Sequence, residues 1–203
     1  KIAVAGSVST SGSWDKLNIE EIKPGFLDHL KIISDAGVDL IILEAMTSKT
    51  STVETIIDCS SKINIPIWLS ISCAYDFENL KIMHGYQESI NNSKANFYDD
   101  MEKTINIIGN IYDGPILIAH SDIKATNIAI KSLKDTYKGV YGAYPNNGYF
   151  EKPNWKKVDN ISANDYLKQA RSWVSNGAQI IGGCCGIGPD LIQAISILKN
   201  ESE

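Results

Sequence analysis

Short apolar runs alternate along the chain with longer segments whose apolar residues recur every three or four positions. The runs are Ile2 to Val8, Asp39 to Met46, Ile65 to Cys73, Pro115 to Asp122, Gly139 to Pro145 and Gln179 to Cys185. Near-continuous hydrophobicity of this kind predicts strands of a parallel sheet covered on both faces. The intervening stripes predict amphipathic helices: Phe26, Leu30 and Ile33; Val53, Ile56 and Ile57; Met101, Ile105 and Ile108; Ala125, Ile128 and Ala129; Leu167, Ala170 and Val174; Leu191, Ile195 and Leu198. Strand and helix in repeated succession predict an α/β fold of about six βα units.

Two helix ends carry the same stop signal. In Asp35-Ala36-Gly37-Val38 and in Ser175-Asn176-Gly177-Ala178 a glycine closes the helix and an apolar strand follows. Connections before strands are short. Those after strands are long and rich in Gly, Ser, Asn and Pro, notably Ser9 to Pro24, Ala74 to Asn96 and Asn146 to Ser162, and they read as loops. In parallel α/β folds the loops after the strands build the active site, so polar residues at strand carboxyl ends become the candidates. No Pro/Ser-rich linker divides the chain, and residues 1–203 read as a single domain.

The 203 residues suffice for one sizeable core, and 43% hydrophobic with 21% charged residues is ordinary for a globular protein. A formal charge of −5, with no basic cluster interleaved with aromatics, argues against nucleic acid as a partner. No apolar run approaches the roughly 20 residues that span a bilayer, and the start lacks a secretory layout, so the reading is no membrane and a cytoplasmic location. The sequence opens at Lys1 directly in a strand-like run, from which a missing N-terminal portion is expected. Cys59, Cys73, Cys184 and Cys185 are too oddly spaced for a disulfide scaffold.

The sharpest local signal is Gly182-Gly183-Cys184-Cys185-Gly186-Ile187-Gly188-Pro189, between an apolar strand and a helix opening with Pro189 and Asp190. Flanking glycines permit a tight turn, and adjacent cysteines can face one ion only where strand pairing ends. Two thiolates are half a tetrahedral zinc shell; the alternative is a pair of buried structural thiols.

This stretch resembles the Gly-Gly-Cys-Cys signature of the homocysteine S-methyltransferase family. Other segments are similar to the family in order: Ala5-Gly6-Ser7; Ala36 to Glu44; Trp68 to Ser72 with Asp76, Leu80 and Gly85; and Tyr144-Pro145-Asn146 with Trp155. The resemblance implies a (β/α)8 TIM barrel whose first two units are absent from this chain. It also implies a Zn2+ cofactor held by three cysteines. The position expected for the first of them matches His120 in Leu117-Ile118-Ala119-His120-Ser121-Asp122, with Ser121 taking its place under a one-residue shift. Histidine is a legitimate zinc ligand and serine a poor one, so the implied metal set is His120, Cys184 and Cys185. Exchanging a thiolate for a neutral imidazole leaves such a centre less negative by a full charge, which should slow attack on a methyl group.

The implied activity is methyl transfer to homocysteine, giving methionine, from a small donor such as S-methylmethionine, S-adenosylmethionine or a betaine-like compound. Glu44, matching a family glutamate, is implied to contact the substrate amino group; otherwise it is a capping or salt-bridge carboxylate. Ser7, Ser70 and Ser72 at strand ends could bond substrate or only backbone. Tyr144 and Asn146 could shape the mouth, and Asn147-Gly148 reads as a turn. Cys73 and Cys59 read as core or packing thiols, and His29 and His84 as surface or loop residues. A different expectation from the His120 departure is a non-catalytic member that binds a small molecule or a protein partner through the barrel mouth.

Overall fold

The computed structural model describes residues 2–9, 19–91, 94–157 and 161–201. In chain order the elements are β1 (Ala5–Ser9), α1 (Ile19–Asp35), β2 (Leu40–Glu44), α2 (Thr50–Ser60), β3 (Ile67–Ile71), β4 (Cys73–Asp76), β5 (Lys81–Tyr86), β6 (Asn96–Asp100), α3 (Met101–Gly109), β7 (Ile116–Asp122), α4 (Ile123–Thr136), β8 (Tyr141–Asn146), β9 (Tyr149–Glu151), β10 (Asn154–Lys156), α5 (Ala163–Ser175), β11 (Ile180–Ile181), α6 (Pro189–Ile195) and α7 (Leu198–Glu201). Each of the six apolar runs contributes a strand, and these form one parallel sheet in the order β1-β2-β3-β7-β8-β11. The fold is α/β with a mostly parallel central sheet. Among the described residues β1 and β11 each have a neighbour on one side only, so the sheet is open rather than a closed ring.

The core lies between the sheet and its helices. Val8, Ile41, Leu43, Leu69, Ile71, Ile116 and Ile118 are buried from the strands, and Phe26, Leu30, Val53, Ile56, Met101, Ile105, Ile108 and Leu133 meet them. Covering both faces is achieved at β3 and β7 but not at the edge: along β1 exposed and buried residues alternate, because only the helix-facing side has a partner. Gly6 sits on that side, where a Cβ would lie 2.2 Å from Ile33, so close strand–helix approach requires glycine.

Two helical stripes are rotated from those read in the sequence. In α4 the buried set is Ala125, Thr126, Ala129, Ile130, Ser132 and Leu133, and Ile128 is exposed. In α5 Tyr166, Ala170 and Trp173 are buried while Val174 is exposed. The three-or-four spacing is satisfied by either choice, and tertiary neighbours decide between them.

The expected loops are the larger correction. Ala74 to Asn96 holds most of a three-stranded antiparallel sheet, β4-β5-β6, and Asn146 to Ser162 contains the β9/β10 hairpin. The strand read as ending at Cys73 breaks after Ile71, and Cys73 opens β4. Of Ser9 to Pro24, residues 10–18 lie outside the described residues, and α1 already begins at Ile19, with Pro24 inside it. His84, expected at the surface or in a loop, is fully buried on β5, where its Nε2 bonds the Met46 carbonyl at 3.1 Å and its Nδ1 has no partner among the described residues. Burial pushes its pKa below the ordinary value, against smaller opposing effects of the Met46 carbonyl and Asp99.

In the unfolded chain His84 gains a proton below about pH 6.5, whereas the folded protein must go lower to accept one. Its neutral burial therefore contributes stability fully present above that pH and lost as pH falls toward the depressed folded value. His84→Gln, which keeps a donor for Met46, is expected to flatten the decline in urea midpoint between pH 7 and pH 5 relative to the parent. Parallel declines in both proteins would refute this.

Candidate metal centre

All parallel strands point their carboxyl ends at one mouth, and the candidate residues collect there. Strand β7 brings His120. Along β7, Ala119 pairs with Tyr144 and Asp122 with Asn146, so β7 spends one more residue than β8 over the same interval. This bulge places His120 at φ +46°, a left-handed conformation uncommon outside glycine but tolerated by histidine better than by most residues. The kink aims the imidazole into the mouth and turns Ser121 away. Ser121 is buried, accepts the Cys73 amide at 2.8 Å and donates to the Ala119 carbonyl at 2.7 Å. Of the two residues that the alignment allowed, only His120 faces the cysteines.

Regular pairing of β11 with β8 ends at Ile181, and the chain then runs on beside β8 through Gly182 N to Ala143 O (2.9 Å) and Cys184 N to Pro145 O (2.9 Å). The Cys185 carbonyl accepts the Asn147 amide at 2.8 Å. Gly186 follows at φ +78°, where a Cβ would lie 2.1 Å from the Asn147 carbonyl oxygen, so the turn after the pair tolerates no side chain. Both cysteines are thereby half-buried and on the same side.

His120 Nδ1 lies 3.7 Å from Cys184 Sγ and 3.7 Å from Cys185 Sγ, and the two sulfurs are 3.9 Å apart. Tetrahedral zinc, with bonds of about 2.3 Å to sulfur and about 2.0–2.1 Å to nitrogen, requires ligand separations of about 3.6 Å for N to S and about 3.8 Å for S to S. The three atoms thus already stand at the corners of one face of such a tetrahedron, and the donor set fits zinc. The hydrogen bond from the Cys184 thiol to Cys185, aided by His120, draws the Cys185 pKa well below the usual thiol range; the same hydrogen bond, with burial, pushes Cys184 well above it. The two thiols titrate as a pair, the first proton leaving more easily than the second.

Glu44 ends β2 beside this group. Burial raises its pKa, while the Tyr144 hydroxyl, donating to Oε1 at 2.9 Å, and the nearby His120 oppose the rise. Tyr144 is shifted upward, chiefly by burial and by Glu44. Ser70 accepts the Ala45 amide at 2.7 Å and supports the turn after Glu44, where Ala45 adopts φ +46°. Ser72 accepts from Thr47 at 3.1 Å. Asn146 is buried, and neither amide atom has a partner among the described residues. Ser7 lies level with Ile42, two residues below the level of Glu44, and is exposed; no hydrogen bond among the described residues joins it to the others. Cys73 is fully buried, its thiol pushed up to about 12 by desolvation, and Cys59 is a buried residue of α2; neither joins the cluster.

Three aromatic or acidic residues at the mouth had no place in the sequence reading or only a vague one. Tyr86, the last residue of β5, stacks on the His120 ring with centroids 5.3 Å apart, and Glu88 lies two residues on. Trp155 of β10 tilts toward His120 at 6.5 Å and donates to the Asn147 carbonyl at 3.0 Å. The alternation His84, Tyr86, Glu88 is the signal that a period-two reading of the supposed loop would have used.

A profile of the homocysteine S-methyltransferase family matches residues 1–198. The chain belongs to the homocysteine S-methyltransferase family. Among curated relatives, homocysteine S-methyltransferase 3 of Zea mays is 29% identical over 94% of the chain, and the selenocysteine methyltransferase of Astragalus bisulcatus is 24% identical over 96%. The chain spans about half the length of these relatives, 54% of the former and 58% of the latter. Among solved structures, the apo form of the Escherichia coli homocysteine methyltransferase MmuM superposes with a TM-score of 0.67 at 21% identity, covering 96% of this chain and 62% of that one. A metallated form of the same enzyme matches with the same score at 20% identity. At this identity these structures speak for a shared fold. No described helix is long and apolar enough to cross a membrane.

Proposed function

We propose that the protein transfers a methyl group from a small donor to the sulfur of homocysteine, giving methionine, in a (β/α)8 barrel to which these six βα units contribute. The donor class comprises S-methylmethionine, S-adenosylmethionine and betaine-like compounds, and the reducing cytoplasm is the compartment in which paired thiols stay available to metal. The observation that carries the reading is the convergence of His120, Cys184 and Cys185 at zinc-ligand spacing in a chain of this family. These three residues would hold Zn2+, which supplies the positive charge that lets a thiol lose its proton near neutral pH.

The remaining residues bind and orient. Glu44 is poorly solvated and pairs with no lysine or arginine among the described residues, so it suits the ammonium of an amino acid. Tyr144 holds that carboxylate in place through its hydroxyl, and Ser70 fixes the adjoining turn. The unpartnered amide of Asn146 suits the substrate carboxylate, and Ser7 lines the approach from β1.

The direct test is methyl transfer to homocysteine with a panel of donors, with and without a chelator. Activity lost with zinc and regained on its return is expected; full activity after complete zinc removal would overturn the mechanism. Glu44→Gln should raise KM for homocysteine about ten- to a hundredfold, the loss expected for a charge-assisted contact of about 1.5–3 kcal/mol, with zinc content unchanged. Folded protein that takes up no zinc would instead favour a non-catalytic member that binds a ligand through the same mouth.

A further inference from the structure

The remaining question at the centre is what makes a histidine serviceable where the family pattern has a third cysteine. The structure offers a chain of contacts behind His120 that the proposed reaction does not use. His120 Nε2, the ring nitrogen away from the cysteines, lies 3.2 Å from the Tyr86 hydroxyl oxygen. Tyr86 in turn donates to Glu88 Oε1. The other Glu88 oxygen accepts the backbone amide of Phe150 at 2.7 Å, so the carboxylate is pinned between β5 and the β9/β10 hairpin. Glu88 Oε1 stands 3.8 Å from His120 Nε2, and the two side chains are 11% and 20% exposed.

Proton counting assigns the tautomer. A tyrosine hydroxyl has one proton, and here Glu88 takes it, so toward His120 the Tyr86 oxygen can only accept. Nε2 must then carry the ring proton, which leaves the lone pair on Nδ1, the atom 3.7 Å from both sulfurs. The relay also sets a carboxylate beside the imidazole at the one ligand position where a thiolate's negative charge has been given up. The platform is rigid: Asp122, at the end of β7, accepts the Ile90 amide at 3.1 Å, and His84 ties β5 to Met46.

Resting on the zinc reading above, we infer that Tyr86 and Glu88 are positioning residues that lock His120 as an Nδ1 metal ligand and return negative charge to a centre built with one thiolate fewer. Carboxylate and hydroxyl partners behind a ligating histidine fix its orientation and raise its basicity, and their loss typically weakens metal binding about 10- to 100-fold. Two excursions from the barrel frame, the β4-β5-β6 sheet and the β9/β10 hairpin, thereby serve the His120 variant of the site.

The test uses the full chain and zinc itself. Zinc affinity is measured by competition with a chromophoric chelator for the parent, Tyr86→Phe and Glu88→Gln, each repeated in a His120→Cys background. Both substitutions keep shape: phenylalanine retains the ring stack and glutamine retains an acceptor for Phe150. Affinity about 10- to 100-fold weaker in Tyr86→Phe and Glu88→Gln is expected, with metal-free melting temperatures near the parent's. The loss should vanish in the His120→Cys background, where no imidazole remains to be oriented. Nitrogen-15 shifts of His120 in the metal-free parent should report the Nε2–H form, and Tyr86→Phe should mix the tautomers. Equal zinc affinity in parent and variants overturns the relay alone, as does an equal loss in the His120→Cys background. A parent that binds no zinc removes the relay's metal role together with the reading on which it rests.

Discussion

Cys185→Ala is expected to lower zinc affinity by about two to three orders of magnitude and to take methyl transfer with it. Apparent binding free energies of about 10–16 kcal/mol for four-ligand zinc sites correspond to roughly 2.5–4 kcal/mol per ligand, and each 1.4 kcal/mol is about tenfold. The loss removes one of the two sulfurs that stand 3.9 Å apart and share a proton between them, so the site gives up half of its thiolate donors. With Cys185 gone, Cys184 keeps its burial and its proximity to Glu44 but loses the neighbour with which it shares a proton, so two donors, His120 and Cys184, remain at 3.7 Å. Two donors are only half of a four-coordinate set, and solvent would have to supply the rest. Cys59→Ala is the control, because that thiol is a buried residue of α2 and belongs to no metal-binding group among the described residues. Chelator competition on both variants decides the matter: parent-like zinc affinity in Cys185→Ala would remove the metal centre, and with it the proposed chemistry.

What the sequence disclosed and what it hid divide along physical lines. All six parallel strands announce themselves because near-continuous apolar runs have few other uses in a chain of this composition. The cysteine pair was equally legible, since its glycines are demanded by backbone approach: at Gly186 a Cβ would collide with the Asn147 carbonyl. His120 was found through resemblance rather than pattern, and the bulge that turns it inward and Ser121 outward leaves no mark in residue types, being a matter of register between β7 and β8. The β4-β5-β6 sheet escaped because its strands are short and mixed in polarity, with Lys81, Asn96 and Asp99 among them, so composition spoke for loop while hydrogen bonding made sheet. Tyr86 and Glu88 were hidden with it. The polar residues nearest the metal ligands were the least visible, because their role depends on contacts between elements 34 and more residues apart in the chain.

The largest expected effect on stability lies behind the cysteine pair, at Trp173. This side chain is 1% exposed on α5, meets Tyr166 edge-on at 5.8 Å and donates through Nε1 to Asn127 of α4, whose own amide donates to Gln169 at 2.9 Å. Trp173→Ala should destabilise the protein by about 3–5 kcal/mol, from lost burial and the cavity left behind, a large part of the roughly 5–15 kcal/mol that a domain possesses. Urea unfolding reads this directly, and a midpoint close to the parent's would show that the α4–α5 contact collapses around the gap. The consequence extends to the metal centre, since the Tyr166 hydroxyl donates to the Gly182 carbonyl, two residues before Cys184. Zinc added at about a thousandfold excess over its Kd should raise the parent's stability by about 4 kcal/mol through mass action. At the same zinc concentration the gain in Trp173→Ala should be smaller, because a tyrosine freed from its tryptophan no longer fixes the strand that presents the sulfurs. Equal zinc-induced gains in the two proteins would mean that the Gly182–Cys185 segment keeps its ligand geometry without support from α5, and that the tryptophan serves the core alone.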